Sequence, residues 1–450
     1  MKRARVRTSA LLGAALVVGG LMSAPMPAGA AETRESVEKA LIFSRHGVRP
    51  PTETHKIVPL STRDWPSWPV PDGHLTPHGR EGAVLMGQFY RSRFVGNGLL
   101  PAGGCPTDGD VFAWANTDQR TRETGNGILE GLFPGCGLKA ASKPPQGGRD
   151  VLFAPIAQGL SPLDPASAKA GVLEAMGGSI DAYKAKLAPL FARLDPVLPG
   201  PRPETCRKAG FAEGCHLIDL PWAIDQGKDK GRNIGLDGSL DLASTIAETF
   251  RLEYMEGMAA DQVGWGRVGP DEVRDLMALR MAKYDVIEHV PYIARRGASF
   301  LLQQIVAAMN DGAGPQSSGA ENAGPPPAKL TLLVGHDTNI GHMRAVMQVG
   351  WALEGSQPND SSPTGAMLFE RLKDGASSKR YVRLSYVAPT ADQVRGLTPL
   401  TGDAGPRVAT LDLPGCTDRL GPGTCELSQF TALVSQRLDP TAVGKPDYTQ

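Results

Sequence analysis

Three short apolar runs constrain this chain most, because each breaks directly into a polar cluster. Lys39-Ala40-Leu41-Ile42-Phe43-Ser44 runs into Arg45-His46-Gly47-Val48-Arg49-Pro50-Pro51-Thr52. Val111-Phe112-Ala113-Trp114-Ala115 runs into a polar stretch that contains Asp118-Gln119-Arg120-Thr121-Arg122. Leu330-Thr331-Leu332-Leu333-Val334 ends at Gly335-His336-Asp337-Thr338. A continuous apolar run bounded by loop signals reads as a buried strand. In open α/β sheets ligands bind beyond the carboxyl ends of the strands, so the three clusters are the candidate site. A fourth run, Tyr381-Val382-Arg383-Leu384-Ser385-Tyr386-Val387, alternates apolar and polar residues as a half-buried strand does.

The helical signal is concentrated elsewhere. A helix is expected over 77–94, with Thr76 as N-cap and Pro77 in the first turn, and another over 122–132. From 164 to 309 the strand signal almost disappears. Ala243, Ile246, Ala247, Phe250 and Tyr254 recur at one face of a 3.6-residue period, and 273–287 continues in the same style. Residues 311–328 are rich in Gly, Pro, Ser and Ala and read as a flexible surface loop. Strands before and after a helical block give an α/β fold, a mixed central sheet flanked by helices with an inserted, mainly helical cap. The expected divisions are 31–163 and 310–450 for the α/β part and 164–309 for the cap.

Residues 1–30 read as an export signal. Lys2, Arg3, Arg5 and Arg7 precede an apolar stretch over 10–22, and Ala28-Gly29-Ala30 supplies small residues for cleavage. The stretch is shorter than the roughly 20 residues of a bilayer helix, so no stable membrane insertion is expected after signal removal. Cleavage after Ala30 leaves 43 basic and 47 acidic side chains, a net charge of −4. That balance offers no basic footprint for nucleic acid. The expected location is periplasmic or secreted, and the expected state is a monomer. In such a compartment Cys105, Cys136, Cys206, Cys215, Cys416 and Cys425 are disulfide staples. Fifteen pairings are possible. Proximity favours Cys105–Cys136, Cys206–Cys215 and Cys416–Cys425.

The clusters carry guanidiniums, imidazoles and a carboxylate. Arginine forks suit a divalent oxyanion such as phosphate. A histidine among cations is held unprotonated and is available as a nucleophile. An aspartate at a separate strand end is placed to protonate a leaving oxygen. No cysteine pair has zinc or redox spacing, and no metal or other cofactor is expected. Gly264-x-Gly266-x-x-Gly269 lies between helical segments rather than after a strand, so it is not read as a nucleotide site.

Arg45-His46-Gly47-x-Arg49-x-Pro51 with His336-Asp337 resembles the signature pair of the histidine acid phosphatases. Trp65-Pro66-x-Trp68-Pro69-Val70, Leu75-Thr76-Pro77-x-Gly79, Arg120-Thr121-Arg122-x-Thr124-Gly125 and Gly264-Trp265-Gly266-Arg267 resemble the bacterial periplasmic phytase/acid phosphatase branch. So do Gly335-His336-Asp337-Thr338-Asn339 and Leu368-Phe369-Glu370-Arg371. The resemblance implies His46 as a nucleophile that becomes phosphohistidine and Asp337 as the proton donor, protonated for the first step and therefore favoured at acid pH. It implies Arg45, Arg49, Arg120 and His336 as grips on the phosphoryl oxygens, with Thr52 near the phosphate and Arg122 structural. It also implies three local disulfides matching the pairs above. The implied substrates are small phosphate monoesters, phytate among them. The alternatives are a hydrolase narrowed to glucose 1-phosphate and a non-catalytic phosphate-ester binding protein. Two residues depart from the pattern: Glu53 stands where a cation is often found, and Asn116 where an acid is common.

Overall fold

The strand containing residues 39–44 is β1 (Ser36–Arg45), and it sits in the middle of the sheet because Ala40 to Phe43 leave no polar face. The structure, a computed structural model, describes residues 35–311 and 324–449. The export signal read at 1–30 and most of the loop read at 311–328 lie outside the described residues. The remaining strands are β2 (Val111–Ala115), β3 (Trp222–Asp225), β4 (Gly235–Gly238), β5 (Leu330–Gly335), β6 (Ala366–Lys373), β7 (Arg380–Ala388), β8 (Arg407–Thr410) and β9 (Thr424–Glu426). Among the described residues the main sheet has the order β2-β5-β1-β6-β7-β8, with β9 also paired to β7. β2, β5 and β1 run parallel, and the pairs on the other side of β1 are antiparallel.

Side chains alternate across β1. Ala40 and Ile42 face Met86, Tyr90 and Ile128 from the helices Pro77–Gly96 and Gln119–Leu132. Leu41 and Phe43 face the other layer, where Leu301, Ile340 and Phe430 come from the helices Pro291–Met309, Asp337–Met347 and Leu427–Arg437. Each fully buried side chain of this size contributes about 1.5–3 kcal/mol. The helices Ile180–Leu194, Ser239–Met255 and Pro270–Val286 pack on a separate cluster that includes Phe191, Phe250 and Met277. This helical part also contains the β3–β4 hairpin. Strands of four residues, one of them carrying two glycines, are too short to show a period-two pattern.

The run read as half-buried is covered on both faces. Ser385 and Val387 are buried, and Tyr386 stacks on Trp351 at 4.1 Å between ring centres. β6 interrupts its apolar run with Glu370, which is fully buried because Arg93 holds it at 2.9 and 2.6 Å and Arg383 at 3.0 Å. The cysteines are bonded as Cys105–Cys136, Cys206–Cys215 and Cys416–Cys425. Among the described residues no helix is long and apolar enough to cross a membrane.

Candidate active site

The register of the three parallel strands brings the polar clusters together. Arg45 stands opposite Gly335 and Ala115 opposite Val334, so the chains leave the sheet at one edge. The N–H of His46 donates to Gly335 O at 3.1 Å, and that of Asn116 to Val334 O at 3.0 Å. Beyond that edge a cavity of about 200 Å³ is lined by His46, Arg49, Arg120, His336, Asp337 and Thr338, among others.

The loop after β1 is pressed against the first turn of the helix Pro77–Gly96. A Cβ on Gly47 would stand 2.8 Å from Gly79 O, and one on Gly79 would stand 2.4 Å from Val48 O. Only glycine allows that approach. The N–H of Gly47 also donates to Thr124 Oγ1 at 3.0 Å. His46 is thereby held with its ring buried and its Nδ1 2.9 Å from Gly47 O. Nδ1 therefore carries the hydrogen and Nε2 keeps its lone pair. Burial, then Arg120, Arg49 and Arg45, hold the imidazole well below its usual pKa. His46 is neutral.

Arg49 and Arg120 are cavity-wall residues. Arg49 donates from Nη1 to Pro50 O at 2.8 Å, and burial beside Arg120 pulls its pKa down to about 9. The Nε–H groups of Arg49 and Arg120 are buried without a partner among the described residues. Two desolvated guanidiniums with free donors are an anion site. The helix expected from 122 begins at Gln119, which puts Arg120 in its first turn, 3.3 Å from Asp118 Oδ2.

Arg45 is not among the residues lining the inner cavity, and its Nε, like those of Arg49 and Arg120, is buried without a partner among the described residues. It is fully buried beneath the cavity, donating from Nη1 to Ser361 O and from Nη2 to Glu248, with Asp337 Oδ2 3.2 Å away. Its charge acts on the site from behind. Thr52 is exposed and lines a second, outer chamber instead of the inner cavity. That chamber, about 600 Å³, shares Arg120, Arg149, Thr338 and His342 with the inner one and adds Lys228 and Lys283. Glu53 also lines it, and Lys56 offsets its carboxylate at 2.7 Å.

His336 packs edge-on against His46, with ring centres 5.6 Å apart. Asn116 Oδ1 accepts the N–H groups of Thr117 and Asp150 at 2.9 and 3.0 Å, which turns its Nδ2 toward His336 Nε2 at 2.7 Å. The Nε2 atom of His336 is therefore the acceptor, and Nδ1 carries the hydrogen. Burial lowers the His336 pKa to about 4, despite Asp118 Oδ2 at 3.2 Å. The acid missing at position 116 is supplied two residues later.

Asp337 opens the helix Asp337–Met347 and accepts the N–H of Thr338 on Oδ1 at 3.0 Å. Its Oδ2 meets Arg280 Nη2 as well as Arg45. Burial raises its pKa, but Arg45 and Arg280 outweigh that and hold it well below the usual carboxylate range. At rest Asp337 is a carboxylate paired with two guanidiniums.

Sequence reasoning missed the charges behind the cavity. Glu248 and Arg251 lie on the helix Ser239–Met255, read only for its packing face, and Arg251 is clamped by Asp360 at 2.8 and 2.7 Å. The available signal was an acid–base pair spaced i, i+3 inside an otherwise apolar stretch. Among the described residues no group of three or more His, Cys, Asp or Glu side chains is placed to hold a metal ion. The arrangement suits a tetrahedral oxyanion set between a neutral imidazole and a carboxylate.

Residues 36–187 match the model of the histidine phosphatase superfamily (branch 2). The chain is 33% identical to Escherichia coli phytase AppA over 414 residues, 91% of this chain and 94% of that protein. It is 28% identical to Salmonella typhimurium glucose-1-phosphatase over 423 residues, 93% of this chain and 97% of that one. The structure of Hafnia alvei phytase in complex with myo-inositol hexakis sulphate superposes with a TM-score of 0.81 at 34% identity, covering 93% of this chain and 100% of that one. With the same fold over nearly its whole length, the chain belongs to branch 2 of the histidine phosphatase superfamily and is a phosphoric monoester hydrolase.

Proposed function

We propose that His46 is the nucleophile of a two-step phosphate transfer and Asp337 its proton carrier. The phosphoryl group of an ester binds against Arg49, Arg120 and His336, each charge-assisted contact contributing about 1.5–3 kcal/mol. The same donors stabilise the charge on the equatorial oxygens as transfer proceeds. His46 Nε2 attacks phosphorus, the P–O bond to the leaving group breaks, and Asp337 gives that oxygen its proton. Water then attacks the phosphohistidine, Asp337 takes the water's proton and passes it to the phosphate as it departs, and His46 recovers its lone pair. Arg45 strengthens the field from below. The observation that carries this reading is the neutral His46, tied through Nδ1 to Gly47 O and sharing one cavity with two arginines and Asp337.

The favoured substrate is phytate. Arg149, Lys228 and Lys283 around the outer chamber suit an alcohol that bears further phosphates, and two of the relatives are phytases. Residues 164–309 act as the cap over the ester. The basic, then apolar, N-terminus and the three disulfides support export to an oxidising compartment. Phosphate release from phytate, glucose 1-phosphate and 4-nitrophenyl phosphate tests the preference. The expected order has phytate first, with activity greatest below neutrality. A rate confined to glucose 1-phosphate would support the narrower alternative, and no turnover of any ester would leave only a binding protein.

A further inference from the structure

Arg280 is the one charged side chain at Asp337 that the mechanism above leaves without a task. It reaches the site from the helix Pro270–Val286. Its Nη2 donates to Asp337 Oδ2 and to Tyr284 Oη at 3.0 Å, and its guanidinium carbon stands 5.0 Å from the centre of the Tyr284 ring. On the other side its Nε is 3.6 Å from Glu248 Oε2, and Glu248 in turn contacts Arg45 and Arg251. A row of alternating charges thus runs from Asp337 to the base of His46.

We propose that Arg280 is the positioning residue of Asp337: it keeps Oδ2 occupied and leaves Oδ1 to carry the proton, so that the proton for the leaving oxygen arrives on the phosphate ester itself. This rests on the reading of Asp337 as the proton carrier. The ester enters as a monoanion and passes its phosphoryl proton to the Asp337 carboxylate. The resulting dianion lies on Arg49 and Arg120. As the Nε2–P bond forms and the P–O bond breaks, the proton moves from Asp337 to the departing oxygen. One proton comes in and one leaves on the alcohol.

The surroundings of Asp337 support this account. Cations face it from three elements: Arg45 at the end of β1, Arg280 from the helical part, and Arg120 from the helix Gln119–Leu132. His46, Arg49 and His336 lie around the same cavity, and Glu248 and Tyr284 are the anionic or neutral groups opposite. Burial alone would favour a protonated carboxyl; Arg45 and Arg280 are the leading cations that reverse it. Without Arg280, Glu248 and burial gain weight and the acidity of Asp337 falls.

The test is the pH profile of kcat/KM for Arg280→Gln and Arg280→Lys in the full chain. A monoanion meeting a carboxylate gives a bell whose acid limb is that of Asp337 and whose alkaline limb is the second ionisation of the ester, near 6. In Arg280→Gln the acid limb should move up by about one pH unit or more, with about tenfold loss per unit below it, while the alkaline limb stays in place. Arg280→Lys should restore most of the acid limb. A uniform loss at every pH with unmoved limbs would overturn the proposal. Should Arg280→Gln fail to fold, Tyr284→Phe loosens the same guanidinium and should move the acid limb in the same direction by less; an unmoved limb there also overturns it. Asp337→Asn tests the underlying reading separately. It should slow alkyl esters far more than 4-nitrophenyl phosphate, whose leaving group needs little protonation. Equal slowing of both would remove Asp337 as proton carrier and the proposal with it.

Discussion

The side-chain amide of Asn116 points its Nδ2 at His336 Nε2 from 2.7 Å, and two backbone N–H groups on its Oδ1 prevent the reverse orientation. This contact, set against Asp118 Oδ2 at 3.2 Å from the same nitrogen, favours the hydrogen on Nδ1, and burial keeps the ring neutral, with a pKa near 4.

Asn116→Asp places a carboxylate against Nε2, where it favours the imidazolium. The His336 titration should rise by about one unit or more, moving the ring toward the charged form at mildly acid pH. The ring-proton resonances of His336, followed by NMR across pH 3–7, measure it. An unchanged midpoint would contradict the acceptor role given to Nε2.

Arg120 and Arg122 are neighbours in one helix but should behave differently. Arg120 lines both chambers, and Arg122 lines neither. Arg120→Ala should lower kcat/KM by about 10²–10³. Arg122→Ala should stay within about threefold of the parent, the range of a substitution away from the reacting groups. Steady-state kinetics on 4-nitrophenyl phosphate separates the two.

Glu253 gives a pH signature in stability instead of activity. It is fully buried, its Oε2 accepting the N–H of Gly264 at 3.0 Å and its Oε1 lacking a partner among the described residues. Burial pushes its pKa up from 4.5 to about 8. The folded state therefore holds a proton that the unfolded chain releases above 4.5. Its contribution is fully present below pH 4.5 and is lost as pH rises toward 8, by at most about 1.4 kcal/mol per unit. Glu253→Gln should flatten the fall in Tm between pH 4.5 and 8, and calorimetry at the two pH values checks it. An equal fall in parent and variant would assign the loss elsewhere.

Cys105–Cys136 closes the longest of the three disulfide loops, with a separation of 31 residues against 9 and 9. Replacing both cysteines by serine should destabilise the protein by about 2–4 kcal/mol, more than removing either short loop. Urea unfolding of the three double variants gives the order.

What was legible in the sequence was whatever has a local pattern. β1, β2 and β5 announce themselves as apolar runs, and the parallel register that follows is enough to bring His46, Arg120 and His336 to one edge. The charges behind the site were not legible, because Glu248, Arg280 and Asp360 are far apart in the chain and join only through tertiary packing. Arg45 shows the limit most clearly. Its place in the Arg45-His46-Gly47 motif implies a role at phosphate, but its partners Ser361 O and Glu248 lie far away in the chain and could not be read from it. β6 escaped for a related reason: Glu370 and Arg371 break its apolar pattern, and their compensating partners Arg93, Arg383 and Asp311 are non-local.

The most direct measurement is a rapid acid-free quench of the protein with a radiolabelled phosphate ester, followed by peptide mapping under alkaline conditions. The account predicts a base-stable, acid-labile phosphoryl group on the peptide that contains His46, absent in His46→Ala. A label on any other residue, or one undiminished in His46→Ala, would contradict it.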